Sequence, residues 1–168
     1  YDARNFRLMR TPLDKTEKGN WEEVIPHRED VYLEDFEIFR DHLVVEERKA
    51  GLIQLRVIPW KGEGEHYLSF DEPAYLVGTG QNYDFDTEVL RYGYTSLTTP
   101  YSTYDYNMVT REKTLLKRDE VLGGFDQANY KTERLTAVAR DGSGVPISLV
   151  YRKSTAPDGK NPLLLYGY

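Results

Sequence analysis

The sequence of 168 residues contains no cysteine, and this absence excludes both a disulfide framework and a thiolate metal site. It also lacks a long apolar run. No apolar run exceeds the length of Leu163-Leu164-Leu165-Tyr166, whereas a membrane-spanning helix needs roughly 20 predominantly apolar residues. We therefore predict no membrane span and no membrane partner.

Basic residues are outnumbered, with 22 Lys and Arg against 28 Asp and Glu and a formal net charge of −6. This balance argues against a general nucleic-acid binder and mildly favours basic or neutral partners. With 39% hydrophobic and 30% charged residues, the composition is typical of a globular protein. No signal peptide is visible after Tyr1, so we expect a cytoplasmic protein; a start without Met is compatible with an excised piece.

Residue patterns that carry chemistry are scarce. The histidines have no metal-ligand spacing and are expected at the surface or in turns; they are His27, His42 and His66. The acidic pairs Glu22-Glu23 and Glu46-Glu47 flank strands and are expected to face solvent. Asp141-Gly142-Ser143-Gly144 predicts a hairpin turn, because a hydrolase nucleophile belongs in G-x-S-x-G between a strand and a helix. No cofactor or metal is expected, and no complete catalytic constellation is present.

Short strands and hairpin turns recur along the first two thirds of the sequence. The first strands of successive hairpins begin near Asn5, Leu52 and Ser102. The second strands begin near Trp21, His66 and Lys113. The steps are 47 and 50 residues for the first strands and 45 and 47 for the second. Two further strands precede each later hairpin, so the repeat has four antiparallel strands, which predicts β-propeller blades. A β-sandwich with evenly spaced turns is the alternative.

The alternating apolar residues of these strands are expected to pack blade against blade. They are Phe6, Leu8, Ile53, Leu55, Val57, Tyr104 and Tyr106. Because each blade buries its faces only against its neighbours, about two and a half blades would leave faces and strand edges uncovered. Self-association through these faces is therefore a further expectation.

The pattern changes after Gly123-Gly124, a pair that suits either an ordinary loop or a hinge. Residues 126–129 suit a helical turn or a loop, and a long alternating hairpin follows, turning at Asp141–Gly144. The run from Leu163 to Tyr166 has no alternation, which predicts a strand buried on both faces, as in an α/β sheet. We therefore divide the sequence into propeller blades at 1–122 and a second domain at 123–168.

Several segments together resemble the oligopeptidase B branch of the prolyl oligopeptidase family. They are Trp21–His27, Leu90–Pro100, Ser102–Tyr106, Val121–Asp126, Val145–Tyr151 and Leu164–Tyr168. The resemblance extends over essentially the whole sequence, and Arg91–Pro100 and the terminal Tyr-Gly-Tyr are its most specific parts. It implies a mainly β chain: the C-terminal blades of a seven-bladed β-propeller, then the first strands of an α/β-hydrolase domain.

The resemblance also implies an activity. The family consists of serine peptidases that cut short peptides, and the oligopeptidase B branch cuts after Arg or Lys. Its Ser-Asp-His triad is expected downstream of Tyr-Gly-Tyr, so the segment alone is predicted to be inactive. The second Tyr of that motif, here Tyr168, would supply a hydroxyl to the oxyanion hole of the full-length parent.

The expected partners are short basic peptides, with the propeller restricting their access to the catalytic cavity. Opening between the domains would gate their entry, which makes Gly123 and Gly124 hinge candidates. A non-catalytic propeller that serves as a binding or interaction module is the alternative.

Overall fold

The computed structural model describes residues 2–156 and 158–167, and antiparallel strands dominate them. The strands are β1 (Leu8–Arg10), β2 (Glu22–Ile25), β3 (Val31–Ile38), β4 (His42–Lys49), β5 (Leu52–Pro59), β6 (His66–Tyr67), β7 (Tyr75–Thr79), β8 (Val89–Ser96), β9 (Ser102–Asn107), β10 (Lys113–Arg118), β11 (Tyr130–Val138) and β12 (Gly144–Arg152). Two short 3-10 helices span Lys18–Asn20 and Gln127–Asn129. No helix of the described residues is both long and apolar enough to cross a membrane.

The strands form sheets in sequence order. Strands β3 to β6 form one four-stranded antiparallel sheet and β7 to β10 form a second, while β1–β2 and β11–β12 are two-stranded. We call the two four-stranded sheets the first and second blade. The four-strand unit that the hairpin spacing predicted is therefore present twice in full.

Strand β4 shows why a blade is buried on both faces. Successive side chains of a strand point to opposite sides. Val44 accordingly packs into an apolar cluster with the second blade, whereas Leu43 and Val45 pack with Ile25 against the β1–β2 hairpin. All three residues are fully buried, so β4 has no face left for solvent.

The larger core lies between the two blades. Its buried members are Phe39, Val44, Ile53, Leu55, Val57, Leu68, Val77, Leu90, Tyr92, Tyr94, Tyr106 and Met108. The predicted packing role is confirmed for the three residues of β5 and for Tyr106, with Tyr104 and Leu8 packed at the margins. It is wrong for Phe6, which precedes β1, is 53% exposed and touches the Tyr32 ring edge-on.

The two acidic pairs have opposite environments. Glu22 and Glu23 are exposed as predicted, but the prediction is wrong for the second pair because Glu47 is completely buried. Its carboxylate accepts hydrogen bonds from the guanidinium groups of Arg28 and Arg56 and from the hydroxyl of Tyr67. Glu47 is buried because it shares the face of Leu43 and Val45, and the two cations neutralise it there.

Two further predictions are wrong. His42 was expected at the surface or in a turn, but it begins the central strand β4, pairs with Pro59 and is only 6% exposed. Residues 163–166, expected as a buried strand, belong to no strand and are at least 77% exposed. A strand is buried only where neighbouring strands pair with it, and no sheet of the described residues extends to this segment.

Candidate functional site

The chain beyond the second blade, from Gln127 through the hairpin β11–β12, meets the two blades through mostly polar contacts, which we call the seam. The seam consists of Ala50, Gly51, Glu72, Thr99, Gln127, Arg134 and Pro146. These residues come from the β4–β5 turn, the connection between blades, the β8–β9 turn, the segment after β10, and the hairpin. The seam is therefore where the repeat ends and the change of pattern begins.

Glu72 organises the blade side of the seam. It lies in the connection between β6 and β7 and accepts hydrogen bonds from the hydroxyls of Tyr94 at 2.8 Å, Ser96 at 2.6 Å and Thr99 at 2.6 Å. The hydroxyl of Thr98 donates a fourth. One carboxylate thus ties the connection between the blades to the β8–β9 turn.

The hydroxyl groups also keep Glu72 charged. Partial burial by itself would raise the pKa of Glu72, but the hydrogen bonds from Ser96, Thr98, Thr99 and Tyr94 favour the carboxylate more strongly. Its pKa therefore lies below the ordinary value. Burial and the bond to Glu72 raise the pKa of Tyr94, so this hydroxyl remains a donor.

Replacing Glu72 by Gln should destabilise the protein in a pH-dependent way. A lowered folded-state pKa means that the charged group adds stability above its ordinary pKa, and that this contribution is lost as the pH falls through the folded-state pKa. The difference in free energy of unfolding between wild type and Glu72→Gln should be largest at neutral pH. It should shrink below pH 4.5, the ordinary value. Urea unfolding over this range measures it, and a difference that grew on acidification would contradict the assignment.

Gln127 connects Glu72 to the chain beyond the second blade. Asp126 caps the short helix Gln127–Asn129, because its Oδ1 accepts a hydrogen bond from the amide of Ala128 at 2.9 Å. The cap holds the first helical residue in place. The Gln127 amide group donates to Thr99 Oγ1 at 3.0 Å and lies 3.5 Å from Glu72 Oε1.

Arg134 makes the second polar contact of the seam, with the first blade. Its guanidinium group donates a hydrogen bond to the carbonyl oxygen of Ala50 in the β4–β5 turn. Ala50 and Gly51 have φ angles of 47° and 79°, as in the two-residue turns that suit the twist of a hairpin. A Cβ added to Gly51 would lie 3.1 Å from Cγ of Pro146 and 3.2 Å from Nη2 of Arg134. The hairpin therefore sits directly on this turn.

The comparison with known proteins assigns the fold. The profile of the prolyl oligopeptidase N-terminal beta-propeller domain matches residues 1–119. The chain belongs to the prolyl oligopeptidase family. The β-propeller prediction is confirmed, and the two four-stranded sheets are two of its blades.

Three members of the prolyl oligopeptidase family illustrate the likeness. The chain is 45% identical to dipeptidyl aminopeptidase BI of Pseudoxanthomonas mexicana and 38% identical to protease 2 of Moraxella lacunata, over 99% of this chain in both. It spans only about a quarter of these relatives, 23% and 24% of their lengths. The closed form of Trypanosoma brucei oligopeptidase B with covalently bound antipain is 33% identical, with a TM-score of 0.73 over 84% of this chain and 21% of that one. The predicted resemblance is confirmed.

Two of the sequence-predicted site residues, Gly123 and Gly124, are not part of the seam. Gly123 and Gly124 lie in an exposed turn, with φ angles of 91° and 81° and no atom within 4 Å of an added Cβ. Positive φ angles explain why both are glycines, and their hinge role stays a prediction. Tyr168 lies outside the described residues. Among the described residues, no group of three or more His, Asp or Glu side chains could hold a metal ion.

Sequence reasoning missed Glu72, Gln127 and Arg134. One local signal was available for Glu72, because the turn Ser96–Thr99 contains several hydroxyl donors, which need a hydrogen-bond acceptor when they are buried. Arg134 and Ala50 are 84 positions apart, and no short-range pattern in a prolyl oligopeptidase sequence connects residues at that separation.

Proposed function

We propose that this chain is part of a longer serine-type peptidase that hydrolyses short peptides, and that its blades restrict access to the catalytic cavity. The observation that carries this proposal is the match of the propeller profile to residues 1–119, together with peptidase relatives aligned over 99% of the chain. In this proposal the residues that cut the peptide belong to the remainder of the enzyme. The chain contributes blades and the seam.

We further propose cleavage after Arg or Lys. The likeness to protease 2 and to an oligopeptidase B supports this preference. The net charge of −6 agrees with it, because an acidic surface attracts basic peptides.

A second candidate activity is the removal of dipeptides from a free N-terminus. It is favoured by the 45% identity to a dipeptidyl aminopeptidase, which exceeds the 38% to protease 2. The two activities differ in one chemical requirement, since only dipeptide removal needs the free α-amine of the substrate.

The deciding experiment assays the full-length enzyme on one short peptide in three versions. The first has an internal Arg-x bond and a free N-terminus, the second has its N-terminus acetylated, and the third has Ala in place of Arg. We expect cleavage of the first two after Arg and loss of cleavage with Ala. Cleavage that disappears on acetylation would instead identify a dipeptidyl aminopeptidase, and no cleavage of any version would overturn the peptidase proposal.

The 168-residue segment by itself should show no peptide hydrolysis. Acyl transfer by a serine peptidase requires a nucleophile, a base and an orienting acid together, and the sequence contains no such constellation. The assay uses the same peptides with purified segment. Turnover that stays with the segment through purification would contradict this prediction, and background turnover is measured with a heat-unfolded sample.

The seam supports a gating role for the blades. Interfaces that move within a chain are typically small and polar, whereas permanent ones are large and apolar. The two hydrogen bonds from Gln127 and Arg134 are polar contacts of this kind. Opening along the seam would let a peptide enter, and closing would exclude larger chains and water.

A further inference from the structure

The hairpin β11–β12 presents different chemistry on its two faces. Arg134 and Thr136 pair with Ser148 and Pro146, and this face rests on the Ala50–Gly51 turn. The opposite face carries the pairs Leu135↔Ile147 and Ala137↔Val145, and Leu135 and Val145 are each nearly half exposed. The apolar residues of this opposite face thus do not hold the hairpin to the first blade. Its hold on that blade depends on Arg134 and on close steric fit.

The fit at the turn leaves no room for a side chain. An added Cβ at Gly51 would come within 3.1 Å of Pro146 and 3.2 Å of Arg134, closer than ordinary van der Waals contact. Arg134 is half-buried and pairs with Ser148 across the hairpin. Its hydrogen bond to the Ala50 carbonyl is charge-assisted, and such bonds are stronger than neutral ones.

We propose that Arg134 is a specificity-determining residue that sets the upper size limit of the peptide substrate, by docking the hairpin on the Ala50–Gly51 turn. This inference rests on the proposed function. When Arg134 holds the carbonyl, the seam is shut and only short peptides reach the cavity. When the contact is broken, the open state becomes more populated, and larger substrates enter in proportion to that population.

Arg134 acts from a distance and is not a catalytic residue. It touches a backbone carbonyl of the first blade, and no step of the chemistry passes through it. Its loss should therefore leave hydrolysis of a short peptide nearly unchanged while hydrolysis of a large substrate rises. A merely structural role would lower both rates together, so the ratio of the two separates these explanations.

The experiment compares four variants of the full-length enzyme with wild type. Arg134→Met removes the charged donor but keeps a long side chain, and Arg134→Lys retains a donor as the conservative rescue. Gly51→Ala inserts a Cβ into the docking contact at φ +79°. Gly62→Ala is its matched control, because Gly62 has φ +83° in the next turn of the same blade and no atom within 4 Å of an added Cβ.

Two measurements are made on each protein. The first is the ratio of kcat/KM for a cleavage sequence embedded in a small folded protein to kcat/KM for the same sequence as a short peptide. The second, which needs no activity, is the radius of gyration from small-angle X-ray scattering. One charge-assisted hydrogen bond can shift a two-state equilibrium by about tenfold, so we expect a rise of about tenfold in the ratio and a larger radius for Arg134→Met and Gly51→Ala.

Each outcome decides something different. Wild-type values for Gly62→Ala and near-wild-type values for Arg134→Lys would support the proposal. Unchanged ratios in both Arg134→Met and Gly51→Ala would overturn it, even if the radius increased, because docking would then not limit substrate size. If wild type hydrolysed neither substrate, both the proposed function and the proposed size limit would be overturned. If the variants were active and had the same kcat/KM ratio as wild type, only the size limit would be overturned.

Discussion

Replacing Glu47 by Ala should lower the free energy of unfolding of the full-length enzyme by about 3–5 kcal/mol, the range found when one partner of a buried ion pair is removed. The Glu47 carboxylate is fully buried, and the Arg56 side chain beside it is only 11% exposed. Without Glu47, the largely buried Arg56 would keep only the exposed Glu65 as an acidic partner, and Arg28 would lose its carboxylate partner. Urea denaturation of wild type and variant, compared at the unfolding transition of the propeller, measures the loss.

The geometry explains why this acid matters more than the others. Arg56 Nη2 lies 2.5 Å from Glu47 Oε1, and the Tyr67 hydroxyl donates to the other oxygen at 2.8 Å. Arg28 donates as well, and although burial by itself would lower the pKa of Arg28, its bonds to Glu47 and Tyr67 outweigh that effect and raise it. The network joins β4, β5 and β6 to the chain just after β2.

Glu22 provides the matched control. It pairs with Arg10 at 2.8 Å, but both side chains are more than 60% exposed. Because exposed ion pairs contribute little, Glu22→Ala should cost less than about 1 kcal/mol. Equal losses for Glu47→Ala and Glu22→Ala would show that the Glu47 network is not a buried charge cluster in solution. Replacing Glu47 and Arg56 together by Leu and Met should recover part of the loss, since two buried charges are removed.

Replacing Gly123 and Gly124 together by Ala should slow peptide turnover by the full-length enzyme by roughly tenfold, if the turn they form must change conformation during opening. Both have positive φ angles, 91° and 81°. Left-handed backbone of this kind costs a residue with a Cβ roughly 1–2 kcal/mol. The double variant therefore shifts the balance between conformations of this turn. Steady-state kcat and KM for a short peptide measure the effect.

A second pair of glycines separates hinge motion from backbone strain. Gly62 and Gly142 have φ angles of 83° and 85°, and no atom lies within 4 Å of an added Cβ at either. The double variant Gly62→Ala/Gly142→Ala thus carries similar strain in two turns away from the junction. We expect wild-type kinetics for this control. If the Gly123/Gly124 variant also kept wild-type kinetics, the pair would be an ordinary loop.

The sequence by itself determined the repeated architecture and its family. Alternating apolar residues and regularly spaced turns predicted the hairpins that became β3 to β10, because side chains alternate across a strand with a period of two. The same rule predicted the β11–β12 hairpin, in which Leu135 indeed pairs with Ile147. Both signals are local, so they can be seen before the fold is known.

Only the tertiary structure decided the environment of each side chain. Glu22-Glu23 and Glu46-Glu47 look alike in sequence, yet Glu47 is buried, because its strand face packs against the β1–β2 hairpin and Arg28 and Arg56 supply two cations to it. The contact of Arg134 with Ala50 joins residues 84 positions apart, and Leu163–Tyr166 belongs to no sheet of the described residues despite its composition. Whether a side chain is buried or makes a docking contact depends on which surfaces meet in space. The pattern of apolar residues along one strand shows which of its faces is apolar, but it does not show which element packs against that face.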